Sequence, residues 1–245
     1  MRISSITDTN KRDQNEDNRI IIPQKINNKK FLLAAVFDGM GGTDAGEVAS
    51  QLAKEAFEAW RGKDFLNALS DFPESIKDPL SDTLETLNQD IYEYERKEGL
   101  SAGSTAALLI LYGDEYVAVN IGDSRIYKFG SKNIQITKDQ TLAQVEIDRG
   151  NLKPEEAVND KRSHTLIQSL GQEDPVEPDF FKGRFRKGDS FLICSDGMYN
   201  RNSLEEISEI IKDNAINTKS KLLELAIKAK EKGEKDNITG ILIEI

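Results

Sequence analysis

The sequence predicts an α+β fold: a four-layer α-β-β-α sandwich of two mainly antiparallel sheets flanked by helix pairs, with an inserted lobe at about 140–175. Three observations predict it. Short apolar runs end at turn residues, as buried strands do. Pairs of apolar stripes at helical spacing lie before and after the block of strands. Residues 140–175 carry helical patches and no strand signal.

In chain order, the first apolar run is Phe31 to Phe37, which leads into Asp38-Gly39. Two helical stripes follow, Val48, Leu52, Ala56, Ala59 and Trp60, then Leu80, Leu84, Leu87, Ile91 and Tyr94, and both are assigned to the core. Thr105 to Val119 forms two strands joined through Gly113-Asp114, and the run Tyr116 to Ile121 leads into Gly122-Asp123. Ile126 to Thr137 is a second hairpin, turning at Gly130. After the lobe, Phe191 to Ser195 leads into Asp196-Gly197. Helices over Leu204 to Ile211 and Leu222 to Ala229 precede a last strand, Ile238 to Ile245, which Asp236-Asn237 opens. With no internal repeat and no Pro/Gly-rich linker, residues 1–245 are expected to form one domain.

The balance of 33 basic and 43 acidic residues, a formal net charge of −10, argues against nucleic acid as a partner and favours cations. The single cysteine, Cys194, allows no internal disulfide, and its place in a strand makes it a small core residue. The single histidine, His164, lies in the lobe and excludes an imidazole-rich zinc site. No apolar run has the length of a signal-peptide core or a bilayer span, so a cytoplasmic protein without a membrane partner is expected.

Four acidic residues, Asp38, Asp123, Asp196 and Asp236, thus fall at strand ends. Anions gathered in a small site repel each other and need a counter-ion. With oxygen ligands and no neighbouring imidazole, that ion is a hard divalent one, Mg²⁺ or Mn²⁺.

The motifs Arg12-Asp13-Gln14-Asn15-Glu16-Asp17, Asp38-Gly39-Met40-Gly41-Gly42, Gly122-Asp123-Ser124-Arg125, Ser195-Asp196-Gly197 and Lys235-Asp236-Asn237 occur in that order. Together they resemble the metal-dependent protein phosphatases, the type 2C serine/threonine phosphatase family. The resemblance covers nearly the whole chain, and residues from Thr141 to Gly171 are similar to the flap of the bacterial members. It implies hydrolysis of phosphoserine and phosphothreonine on phosphorylated proteins, with a serine/threonine kinase and its substrates as associated partners. It implies two ions, with Asp38 bridging them, the Gly39 carbonyl on one, and Asp196 and Asp236 on the other. Asp123 matches a third, weaker site. Glu16 and Asp17 match carboxylates that orient metal-bound water, and Asn237 belongs to the same outer layer. Arg12 matches the residue that grips phosphate, for which a planar guanidinium suits better than an ammonium. A monomer independent of accessory subunits is expected.

Two positions depart from the family pattern. Met40 stands where many members carry His, and Asn200 stands where some carry an Asp for the third ion. A catalytically silent binding module is the competing class of function. Retention of Arg12, Asp38, Asp196 and Asp236 together favours the enzyme, because nothing else requires mutually repelling carboxylates. A hydrolase of small phosphate esters would have the same central site.

Overall fold

The computed structural model describes residues 1–41, 45–60, 69–157 and 160–245. One sheet has the order β1 (Arg2–Asp8), β11 (Ile238–Glu244), β10 (Ser190–Cys194), β7 (Arg125–Phe129), β8 (Ile134–Gln135). The other has the order β2 (Asp17–Ile26), β3 (Lys29–Gly41), β5 (Ala106–Tyr112), β6 (Glu115–Ile121), β9 (Asp179–Arg184), with β4 (Ala102–Ser104) paired to the end of β3. Every pairing is antiparallel.

Apolar runs appear continuous in the sequence because both faces of the inner strands are buried. In β3, Phe31, Leu33, Ala35 and Phe37 face helices α1 (Ala45–Ala59) and α2 (Lys77–Glu98), while Leu32, Ala34 and Val36 face the other sheet. In β10, Leu192 and Cys194 face helices α6 (Leu204–Lys212) and α7 (Thr218–Glu231), while Phe191 and Ile193 join the inter-sheet core. The three apolar layers make the four-layer sandwich. Cys194 is a buried, unpaired core thiol.

The stripe read for α1 is displaced. Ala45, Ala49, Ala53 and Phe57 are fully buried; of the stripe read from the sequence, Leu52, Ala56 and Trp60, the last just beyond the helix end, pack partly buried against the core, Val48 is half-buried and Ala59 is exposed. Small side chains set the buried face because α1 closes tightly on β3; a Cβ on Gly46 would lie 2.8 Å from the Met40 nitrogen. In α2 the stripe holds through Leu80, Leu84, Leu87 and Ile91, and Tyr94 is left half-exposed.

Asp38 does not terminate its strand. β3 continues through Gly41 because Gly39, Met40 and Gly41 pair with β4. Gly42, the last residue of that glycine-rich motif, lies outside the described residues.

Between β8 and β9 run α3 (Leu142–Asp148), α4 (Pro154–Ala157) and a 3₁₀ turn at Lys161–His164. The ends of this segment are clamped to the scaffold. Gln140 and Gly122 exchange hydrogen bonds, each N–H donating to the other residue's oxygen at 2.9 Å, and Asn88 Oδ1 accepts from Gly171 N at 2.8 Å. The segment therefore starts against the Gly122-Asp123 turn. No helix among the described residues is long and apolar enough to cross a membrane.

Candidate metal centre

The acidic positions converge at one end of the sandwich. Asp38 on β3 stands directly opposite Asp17 on β2. Asp17 is buried, and its Oδ2 accepts from Ser195 Oγ at 2.8 Å; Ser195 Oγ in turn accepts from Thr239 N at 3.0 Å. This chain ties β2 of one sheet to β10 and β11 of the other. The Asp38 backbone is fixed by Thr105, whose hydroxyl accepts from Asp38 N at 3.0 Å and whose N–H donates to Asp38 O at 2.9 Å. Thr105 Oγ1 also shares a 2.8 Å hydrogen bond with Ser124 Oγ, next to Asp123.

Asp196 opens the short helix α5 (Asp196–Tyr199), and its Oδ2 accepts from Asn200 Nδ2 at 2.9 Å. Asp123 is buried after β6, and its carbonyl accepts from Tyr199 Oη at 2.9 Å. Arg125 lies 3.6 Å over the Tyr199 ring and grips Asp139 with two nitrogens, at 2.9 and 2.6 Å. Asp236 precedes β11, and its carbonyl accepts from Asn10 Nδ2 at 2.9 Å.

The carboxylates sense one another. Burial first, then repulsion from Asp17, Asp196, Asp123 and Asp236, pushes the Asp38 carboxyl well above its usual range. Burial pushes Asp17 up to about 7, against the pull of hydrogen bonds from Thr239 and Ser195. Burial and the Asp236 charge push Asp196 up to about 6. Burial and Asp196 raise Asp123 as well. Among the described residues no three His, Cys, Asp or Glu side chains close on a common point tightly enough to hold an ion by themselves. The group is one of mutually repelling oxygens, and the main-chain carbonyl of Gly39 is part of the expected donor set. Its chemistry fits a hard divalent cation.

Arg12 is mostly exposed at the edge of this group, with Nη2 2.7 Å from Asp236 Oδ2. That contact raises the guanidinium pKa further. Gly39 is buried, and its N–H donates to Glu16 O at 3.1 Å. A Cβ there would collide with the Gly46 and Glu16 carbonyls, so this approach of strand, loop and helix requires glycine. The Glu16 carboxylate points at the start of α1, where a Cβ on Gly46 would meet Glu16 Oε1 at 2.7 Å. Asn237 clamps the loop that carries Arg12. Its Nδ2 donates to Thr9 O at 3.0 Å and Gln14 O at 2.9 Å, and its Oδ1 accepts from Glu16 N at 2.9 Å.

Sequence reasoning passed over Thr105, Gly46 and Asn10, which hold the site through backbone contacts that leave no motif. It also placed the single imidazole away from the centre. His164 is exposed in the 140–175 segment, and its pull on Asp196 is the weakest of the influences there, against a net rise.

This arrangement agrees with what the chain is similar to. Residues 12–224 match the family model described as Protein phosphatase 2C. The serine/threonine phosphatase stp of Listeria monocytogenes is 34% identical over 240 residues, covering 95% of this chain and 91% of that protein. A Streptococcus agalactiae serine/threonine phosphatase structure superposes with a TM-score of 0.88 at 30% identity, over 100% of this chain and 99% of that one. The catalytic domain of the phosphatase PstP, solved in complex with two manganese ions, gives a TM-score of 0.78 at 30% identity, over 98% and 96% of the two chains. With the motifs in family order, the acidic end of the sandwich and a match spanning most of its length, the chain belongs to the protein phosphatase 2C family.

Proposed function

We propose that this protein phosphatase hydrolyses phosphoserine and phosphothreonine on other proteins with the help of two divalent cations, Mn²⁺ or Mg²⁺. Asp38, the Gly39 carbonyl, Asp196 and Asp236 would hold them, and Asp123 would contribute to a third, weaker position. The observation that carries the reading is the convergence of Asp38, Asp17, Asp123, Asp196 and Asp236 at one end of the sandwich, where their charges act on one another and, without a cation, the buried carboxyls hold protons instead. When bound, the ions supply that charge, activate water at neutral pH and offset charge on the oxygens of an in-line displacement at phosphorus.

The rest of the work belongs to the chain. Arg12 exchanges Asp236 for phosphate oxygens, presenting a planar fork to the substrate. Asn237 holds the Arg12 loop at fixed height, and Thr105 holds the backbone of Asp38. Asp17, gripped by Ser195, keeps β2 and β10 together beneath the reacting centre. Asn200 occupies one oxygen of Asp196, which favours two central ions over a strong third one. We read the chain as a single phosphatase domain, monomeric and cytoplasmic, that reverses the action of a serine/threonine kinase, with residues 140–175 as its flap.

The test is phosphate release from a phosphothreonine peptide with Mn²⁺, repeated after chelation. Loss on chelation and recovery with Mn²⁺ is expected; turnover that survives complete metal removal contradicts the reading.

A further inference from the structure

A cleft of about 690 Å³ lies beside the carboxylates, between the 140–175 segment and the stretch from Tyr199 to Glu206. It meets the candidate centre at Asn200, which lines it and donates to Asp196. Ala143, Ile147, Pro154 and Leu204 give it apolar wall. Such a trench next to a phosphate site suits an extended polypeptide.

Most charges lining the cleft are already matched. Arg125 and Asp139 form a two-pronged pair, Arg201 faces Glu234 at 3.7 Å, and Glu206 is held by Lys228 and Lys232. Glu155 on the flap wall and Glu205 on the opposite wall remain exposed, and neither has an ion-pair partner among the described residues. Two unmatched carboxylates on facing walls of one trench favour a ligand that brings positive charge.

We infer that this cleft receives the polypeptide around the phosphorylated residue and selects substrates carrying Lys or Arg close to it, with Glu155 and Glu205 as the specificity-determining residues. The inference rests on the phosphoprotein phosphatase reading. The competing role for both glutamates is structural, since each lies in the first turn of its helix, where a negative charge offsets the helix dipole.

The experiment compares kcat/KM for matched phosphothreonine peptides with Arg, Ala or Glu placed in turn at the four positions on either side of the phosphothreonine. Each value is normalised to the rate with p-nitrophenyl phosphate for the same protein. The wild type should prefer the best Arg peptide over its Glu counterpart by about fivefold, the scale of two rim ion pairs. The double variant Glu155→Lys, Glu205→Lys should reverse that order, and Glu155→Gln, Glu205→Gln should abolish it. Equal ranking of the peptides by a wild type that cleaves p-nitrophenyl phosphate overturns the inference and leaves the phosphatase reading intact. So does a ratio that stays constant in both folded double variants while only their melting temperature falls, because the glutamates then serve the helices. Failure of the metal-loaded wild type to cleave any of these esters overturns the underlying reading and the inference with it.

Discussion

Arg12 Nη2 stands 2.7 Å from Asp236 Oδ2, so the cation proposed to bind phosphate is paired with a carboxylate proposed to bind metal. Both partners are solvent-accessible, and such a pair exchanges easily.

Arg12→Ala should therefore raise KM for a phosphothreonine peptide and weaken inhibition by inorganic phosphate about tenfold, with a smaller loss in kcat. A guanidinium that touches phosphate in both ground and transition states mainly contributes binding. Steady-state kinetics with phosphate as competitor check this; equal inhibition of wild type and variant assigns Arg12 elsewhere.

The raised carboxyls predict an unusual pH dependence for metal-free protein. Their folded-state values, about 7 for Asp17 and about 6 for Asp196, exceed the unfolded range near 4. Stability from the neutral acids is fully present below about pH 4 and is lost as pH rises through those folded-state values. Carboxylates with lowered values, such as Asp8 and Glu206, act in the opposite sense but only at lower pH. Between pH 5 and 8 the melting temperature of chelated protein should fall by on the order of 5 °C, and saturating Mn²⁺ should remove the slope. Calorimetry at both pH values tests this; a metal-free melting temperature that rises with pH contradicts it.

Asp38→Asn should lower turnover by about three powers of ten or more while raising the melting temperature of the metal-free protein. One substitution removes both a proposed metal ligand and one of the charges that the others repel. Parallel kinetics and calorimetry separate the effects. A variant that is less stable without metal argues that Asp38 is structural.

Asn237→Ala should loosen the loop carrying Arg12, because three hydrogen bonds to Thr9, Gln14 and Glu16 are lost at a buried side chain. Destabilisation of about 2–4 kcal/mol is expected, with KM rising more than kcat falls. Chemical denaturation and kinetics check it; unchanged KM in a folded variant would remove Asn237 from the positioning of Arg12.

The strands legible in the sequence are the inner ones. β3, β5, β6, β10 and β11 are buried on both faces and read as apolar runs. β1, β2 and β9 are sheet edges, polar in composition and with Pro23 in β2, where a missing N–H is tolerated; periodicity alone does not reveal them. Cys194 showed its burial through its neighbours, whereas the displaced face of α1 did not, because its three alanines carry little hydropathy signal. In the site, each aspartate follows from its motif. Its partners do not: Thr105 reaches Asp38, and Asn10 reaches Asp236, across more than sixty and two hundred residues of sequence respectively. Only the fold creates those contacts.

The central claim is that these carboxylates form a divalent-metal centre, and anomalous scattering from Mn²⁺-soaked crystals tests it most directly. The account predicts two peaks bounded by Asp38, Gly39, Asp196 and Asp236, both lost in Asp38→Asn. Manganese found elsewhere, or none at these residues in protein that still releases phosphate, would contradict it.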